Sequence, residues 1–204
     1  HRDLHLSLRR QRQICIRERY DIKYYDKTND KTKWLTQAMR ASYPSWLDSN
    51  TIIFVSHKNS VSNIFSVNIN DKKTSQLTNF TDNTQIAFLS VAPISQQLLF
   101  SMSPINGNMD IYTMDLNSKQ LNRHTTNEMA DTYPVWHPDE TAISYTSNAN
   151  GVPNIHTINL SNNTRSVNTD AGDGIWTYQW MPSDSLLLAR TLGDVDTVLS
   201  LIHI

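Results

Sequence analysis

Cysteine is almost absent from this 204-residue sequence. Cys15 stands alone, so neither an intrachain disulfide nor a multi-cysteine metal site can form. Glycine is scarce as well, at five residues, and no GxGxxG, P-loop or GxSxG pattern occurs. The common nucleotide-binding and hydrolase signatures are therefore excluded from this stretch. A charge excess is missing too: 18 Lys and Arg against 19 Asp and Glu leave a formal net charge of −1. Proteins that hold nucleic acid through its phosphates carry a basic excess, so no nucleic-acid partner is expected for this segment. No run approaches the roughly 18 apolar residues of a membrane-spanning helix. What is present is a 38% hydrophobic content with five Trp, eight Tyr and five Phe. Balanced charge with that many aromatics describes a chain that folds around a modest core.

The ends carry their own expectations. His1 opens the sequence without an initiator Met or an apolar signal segment, which predicts the interior of a longer protein. The last residues, Leu199-Ser200-Leu201-Ile202-His203-Ile204, match the translation of a transposon-type sequencing adapter. Residues 199–204 are thus expected to be an adapter-derived tail, with an ordinary final strand as the alternative.

Internal repetition dominates the rest. Trp46-Leu47-Asp48-Ser49 is echoed by Trp136-His137-Pro138-Asp139 and Trp180-Met181-Pro182-Ser183, with Val91-Ala92-Pro93-Ile94 between them, in steps of 45, 45 and 44 residues. Pro44 and Tyr43 recur as Pro134 and Tyr133. Each copy runs into a short apolar strand: Ile52-Ile53-Phe54, Leu98-Leu99-Phe100, Ala142-Ile143-Ser144-Tyr145, Leu186-Leu187-Leu188. A further strand opens on Asp or Asn followed by Ile, at Asp21, Asn63, Asp110 and Asn154. A last strand ends in Thr, as at Thr36, Thr78 and Thr169. Period-2 alternation between Asn-, Asp-, Gly-, Ser- and Pro-containing turns predicts strands and almost no helix, and Asn106-Gly107 and Asn150-Gly151 predict hairpin turns with positive φ. Four-stranded units at this period need neighbours packed face to face, which radial repetition supplies. The expected fold is all-β, a β-propeller.

The residues Asp131 to Ser147, closing with Asn150-Gly151 and Asn154-Ile155, resemble the PD40 (WD40-like) repeat of TolB-type propellers: Pro-x-Trp, a Pro-Asp turn, an apolar strand, Ser, a Gly-containing loop and Ile. The unit from Tyr43 departs from that pattern at Leu47, Asp48 and Ser49, the unit at Val91 lacks the Trp, and Ser183 stands where Asp is usual. The resemblance covers about residues 12 to 190. It implies an arc of four to five blades from a six- to eight-bladed ring: a partial blade at 1–40, blades at 41–83, 84–128 and 129–172, and a partial blade at 173–198.

The prominent side chains read as structure first. Trp46, Trp136 and Trp180 recur at blade period and are expected to pack between neighbouring blades. The Asp or Asn before Ile at 63, 110 and 154 could form a calcium ring, but side-chain oxygens there are expected to bond nearby backbone N–H groups. His137 and Asp139 predict a turn; His57, His124 and His156 fall at non-equivalent positions. Asp170, Asp173, Asp194 and Asp196 with Gly172 and Gly174 fall short of a calcium loop. Asn79 and Asn162 begin sequons of the kind expected by chance, and Arg9, Arg10, Arg12, Arg17 and Arg19 predict a solvated edge. No catalytic, cofactor-binding or metal-binding residue is expected within this stretch, and whether the whole protein is an enzyme stays open.

Three functions are compatible with these readings. The resemblance implies a non-catalytic, protein-binding scaffold of the bacterial cell envelope, in the periplasm. Its alternatives are the gating propeller of a prolyl-oligopeptidase-type serine peptidase, with the catalytic domain elsewhere, and the sensor propeller of a membrane-bound winged-helix regulator. Common to all is recognition by rim loops, for which the variable segments 57–62, 103–109 and 148–153 are the candidates.

Overall fold

The computed structural model describes residues 20–92, 94–172, 174–180, 186–191 and 198–203. These residues form seventeen strands in five antiparallel sheets, and no helix occurs among them. β1 (Lys23–Asp26) and β2 (Lys31–Trp34) make a two-stranded sheet. Three sheets of four strands follow: β3 (Ala41–Trp46), β4 (Thr51–Lys58), β5 (Val61–Asn68) and β6 (Thr74–Gln76); β7 (Gln85–Val91), β8 (Leu98–Ser103), β9 (Asp110–Met114) and β10 (Leu121–Arg123); β11 (Asp131–Trp136), β12 (Ala142–Ser147), β13 (Asn154–Asn159) and β14 (Arg165–Val167). β15 (Ile175–Trp180), β16 (Leu186–Thr191) and β17 (Val198–His203) form the last sheet. Each is a meander, with strands paired in chain order. Residues 199–203 of the expected tail lie in β17, their backbone paired with β16.

The core lies between sheets. Second strands carry continuous buried runs because both of their faces are covered. Alternation then sends successive residues to opposite neighbours. Ile52 and Phe54 pack with Ile22 and Leu35, which flank the preceding sheet, while Ile53 and Val55 pack with Leu98 and Phe100 of the next. Leu99 and Ile111 in turn meet Trp136, Ile143 and Tyr145, and Ile155 meets Ile175, Tyr178 and Trp180. Each such side chain removed from water stabilises the stack by roughly 1.5–3 kcal/mol.

Radial order follows from the contacts. First strands of adjacent sheets pack against each other, β3 with β7 and β7 with β11. Fourth strands are three residues long, and every residue in them is exposed. The first strand of each blade thus faces the axis and the fourth faces solvent, as in a propeller.

Two turn readings need correction. In the Asn-Gly pairs only Asn106 (φ 59°) and Gly151 (φ 83°) are left-handed, so neither pair makes the two-residue turn in which both positions are; each lies in a six-residue loop between its strands. The tight turn occurs instead at Asn59-Ser60, with φ of 52° and 64°, joining β4 directly to β5. Segment 57–62, expected as a loop, is therefore strand at His57, Lys58, Val61 and Ser62.

Candidate functional site

The axial face is built by an irregularity that each blade repeats. β3, β7 and β11 all shift register against their second strands, between Ser42 and Ser45, Ala87 and Ser90, and Thr132 and Val135. Inside each bulge sits an aromatic residue in the left-handed region: Tyr43 (φ 50°), Phe88 (φ 56°) and Tyr133 (φ 51°). That backbone costs a non-glycine residue about 1–2 kcal/mol. Packing between blades offsets it, because the three rings form a ladder with centroids 5.2 Å apart for Tyr43 and Phe88 and 3.9 Å apart for Phe88 and Tyr133. Tyr43 and Tyr133 were visible in the sequence as an echo. Phe88 was not, since its unit lacks the Trp that marks the others.

One rim, where second strands end and third strands begin, is held by a repeated capping network. The hydroxyl of Thr36, Thr78, Thr125 or Thr169 donates to the side-chain oxygen of Asp21, Asn63, Asp110 or Asn154, at 2.9, 2.9, 3.1 and 2.9 Å. The same hydroxyl accepts the N–H of Ile22, Ile64, Ile111 or Ile155, at 2.8, 2.9, 3.0 and 2.9 Å. Asn63 and Asn154 accept further N–H groups, from Phe80 and Ala171, and Asp110 takes the Arg123 guanidinium at 2.6 Å. These oxygens hold strand ends together, each turned into its own blade; they do not converge on one point as a cation ring requires. Among the described residues no group of three or more His, Cys, Asp and Glu is placed to hold a metal ion.

Clefts open on this rim. One of about 470 Å³ lies between the first two four-stranded sheets, lined by Arg40, Tyr43, Val55, His57, Gln85 and Ile86 among others. A larger one of about 840 Å³ shares Arg40 and His57 and extends past Lys58 to Phe65 and Phe80. A third, about 540 Å³, is bounded by Asn150, Asn154, Thr169 and Asp170. The candidate loop 148–153 lines this third cleft, and Met109, at the end of 103–109, lines the first.

The histidines and acids that attracted attention in the sequence separate. His137 Nδ1 bonds Asp139, whose Oδ1 also accepts the N–H and hydroxyl of Thr141 at 2.9 and 2.7 Å. The Thr141 N–H, then its hydroxyl, holds the Asp139 carboxyl down at about 2. That is a turn on the opposite rim, and the His137 ring stands edge-on to Trp180, 4.6 Å between centroids. His57 Nδ1 pairs with the Ser62 hydroxyl at 3.1 Å; His124 and His156 are shifted down mainly by burial. Trp136 and Trp180 are buried between blades, while Trp46 is 50% exposed with Tyr24 edge-on to it. Asp170 lines a cleft; Asp173, Asp194, Asp196 and Arg9 to Arg19 lie outside the described residues. Exposed Asn162 accepts the Thr164 N–H and hydroxyl in a local turn.

Asp131 is the acid that the sequence reading missed. It begins β11 where the equivalent residues are Ala41, Ile86 and Ile175, and it is completely buried. Its Oδ2 accepts the Asn127 amide at 2.8 Å, and its N–H donates to the Met109 carbonyl at 2.7 Å. The Ser147 and Thr125 hydroxyls lie close, but Oδ1 has no partner at hydrogen-bond geometry among the described residues. Burial, reinforced by the Asp110 charge, outweighs those hydroxyls and raises its pKa; burial also pushes neighbouring Tyr145 to about 12.

Comparison with known proteins agrees with this geometry. Residues 8–198 match the family described as the TolB β-propeller domain, PD40. The structure is similar to TolB from Acinetobacter baumannii, with 25% identity, a TM-score of 0.74, and coverage of 87% of this chain and 45% of that one. It thus spans less than half of that protein's length. An oligogalacturonate lyase in complex with manganese shares the fold at 12% identity, TM-score 0.67, with 84% and 50% covered. So does a puromycin hydrolase, at 11% identity, TM-score 0.62, with 81% and 27% covered. The first match joins sequence to structure, and with the family match over most of the chain it is decisive: this chain belongs to the TolB β-propeller domain family.

Proposed function

We propose that this chain is part of a non-catalytic scaffold that binds a protein partner in the bacterial cell envelope, on the periplasmic side. The observation that carries the reading is the family match over residues 8–198, joined to 25% identity with a TolB structure. The two enzyme folds resemble it at 11–12% identity, a likeness of architecture alone. The geometry supports recognition. A face stiffened by the aromatic ladder and the capping networks is preformed, so a partner would bind without first ordering it. Clefts of 470 and 840 Å³ on one rim are of the size that takes side chains of a partner.

Affinity purification with the full-length protein from cross-linked envelope extracts tests this. Reproducible enrichment of one envelope protein over an unrelated propeller bait is expected. Recovery of no envelope protein, or fractionation of the protein away from the periplasm, would refute it.

A further inference from the structure

The repeat supplies an internal control. Groups that the stacking uses recur from blade to blade, so a charge confined to one blade is not required by the stacking. The residue preceding the equivalent first-strand positions Ala41, Ile86 and Asp131 is Arg40, Gln85 or Ala130. In the register that pairs Ala41 with Ser56, Ile86 with Met102 and Asp131 with Ser147, the next residue of the second strand is His57, Ser103 or Asn148. Lys58 follows His57 at the tight Asn59-Ser60 turn. At these equivalent positions positive charge thus occurs only beside β3 and β4.

Those groups meet at one place. Arg40 and His57 line both neighbouring clefts, so they stand on the ridge between them, and Lys58 lines the larger. Among the described residues no Asp or Glu lines either cleft, and none forms an ion pair with Arg40 or Lys58. Arg40 is held at φ 48°, a left-handed conformation that costs a non-glycine residue free energy and that neither Gln85 nor Ala130 adopts. Beside the charges lie the Tyr43 ring, Val55 and Ile86 in one cleft and Phe65 and Phe80 in the other.

We infer that this double cleft binds an extended acidic peptide segment of the partner, with carboxylates on Arg40 and Lys58 and an apolar side chain against Tyr43. The inference rests on the protein-binding reading above and names the chemistry of its ligand. Opposite charge lends such a site its selectivity and on-rate, while the apolar walls distinguish a peptide from a free anion.

The probe is a fluorescein-labelled peptide, Gly-Glu-Glu-Phe-Glu-Glu-Gly, read by anisotropy against the full-length protein at low ionic strength, with its Lys-for-Glu counterpart as comparison. Binding of the acidic peptide alone is expected. It should weaken at least tenfold in Arg40→Glu with Lys58→Glu, weaken severalfold in the exposed single variant Lys58→Glu, and stay unchanged in Lys73→Glu on the opposite rim. Equal binding by the charge-reversed variants, an equal loss in Lys73→Glu, or displacement by millimolar inorganic phosphate as effective as by unlabelled peptide would overturn the inference. The same variants in the envelope purification separate the two readings. If wild type and charge-reversed protein capture a partner equally, the scaffold reading stands and the cleft assignment falls; if neither does, the scaffold reading falls.

Discussion

The blade of β3 to β6 and the blade of β11 to β14 are built to one plan and differ in three places. Both have a bulged first strand, a left-handed tyrosine at Tyr43 or Tyr133, and an Asn–Thr cap, Asn63 with Thr78 or Asn154 with Thr169. They differ in the fate of the repeated Trp, in the residue that opens the first strand, and in the turn between second and third strands. The shared features are those that stack one sheet on another. The differences show how far a blade can be altered while that stacking is kept.

The largest contrast is Trp136 against Trp46. Trp136 is 7% exposed inside the cluster with Leu99, Ile111 and Tyr145, whereas Trp46 is 50% exposed. Trp136→Ala is expected to cost about 3–5 kcal/mol, the range for a large core truncation. Trp46→Ala should cost about 1 kcal/mol, near the mean for a point mutation. Urea denaturation followed by far-UV circular dichroism measures both, and equal losses would break the contrast.

Asp131 against Ala41 comes next. Because burial raises the Asp131 pKa in the folded state, the folded protein binds its proton more readily than the unfolded chain does. Its contribution to stability is complete below the ordinary carboxylate value of 3.8 and is lost as pH rises through the raised folded value. Asp131→Asn should therefore match or exceed wild-type stability at pH 7, by about 1 kcal/mol, the low end of the penalty for an unpartnered buried acceptor. The advantage should shrink as pH approaches 4. A pH-independent difference between the two proteins would show that Asp131 does not titrate in this way.

The turn is the smallest contrast. Ser60 holds φ 64° in the two-residue turn, where the other blade uses a six-residue loop containing Gly151. Ser60→Gly relieves that conformation but loosens the unfolded chain, so a net gain of about 0.5 kcal/mol is expected. A loss of stability would mean that the Ser60 side chain is itself needed.

How much of this could be read from the residues depends on range. Strands and the repeat were legible because alternation and the Pro-x-Trp turn are local and recur at a fixed step. The capping Asp and Asn were legible by type, though their partners lie fifteen residues away, and Thr125 went unnoticed because Arg123 and His124 obscure the strand that precedes it. The ladder was not legible, since a bulge turns Phe88 out of its expected alternation and only the neighbouring blades show what it meets. Asp131 gave no sign of its burial, because Met109 and Ser147, which close around it, come from the preceding blade and from the second strand. The Asn59-Ser60 turn escaped because neither residue is glycine, and the Asn-Gly pairs drew attention to loops that close differently.

The short outer strands have a consequence for life at high concentration. A sheet edge recruits foreign chains in proportion to the length of backbone that it leaves unpaired. β6, β10 and β14 each offer three residues: Thr-Ser-Gln, Leu-Asn-Arg and Arg-Ser-Val. That is too little to template a growing fibril. Along these three blades the outer rim therefore offers a neighbouring molecule little backbone to pair with.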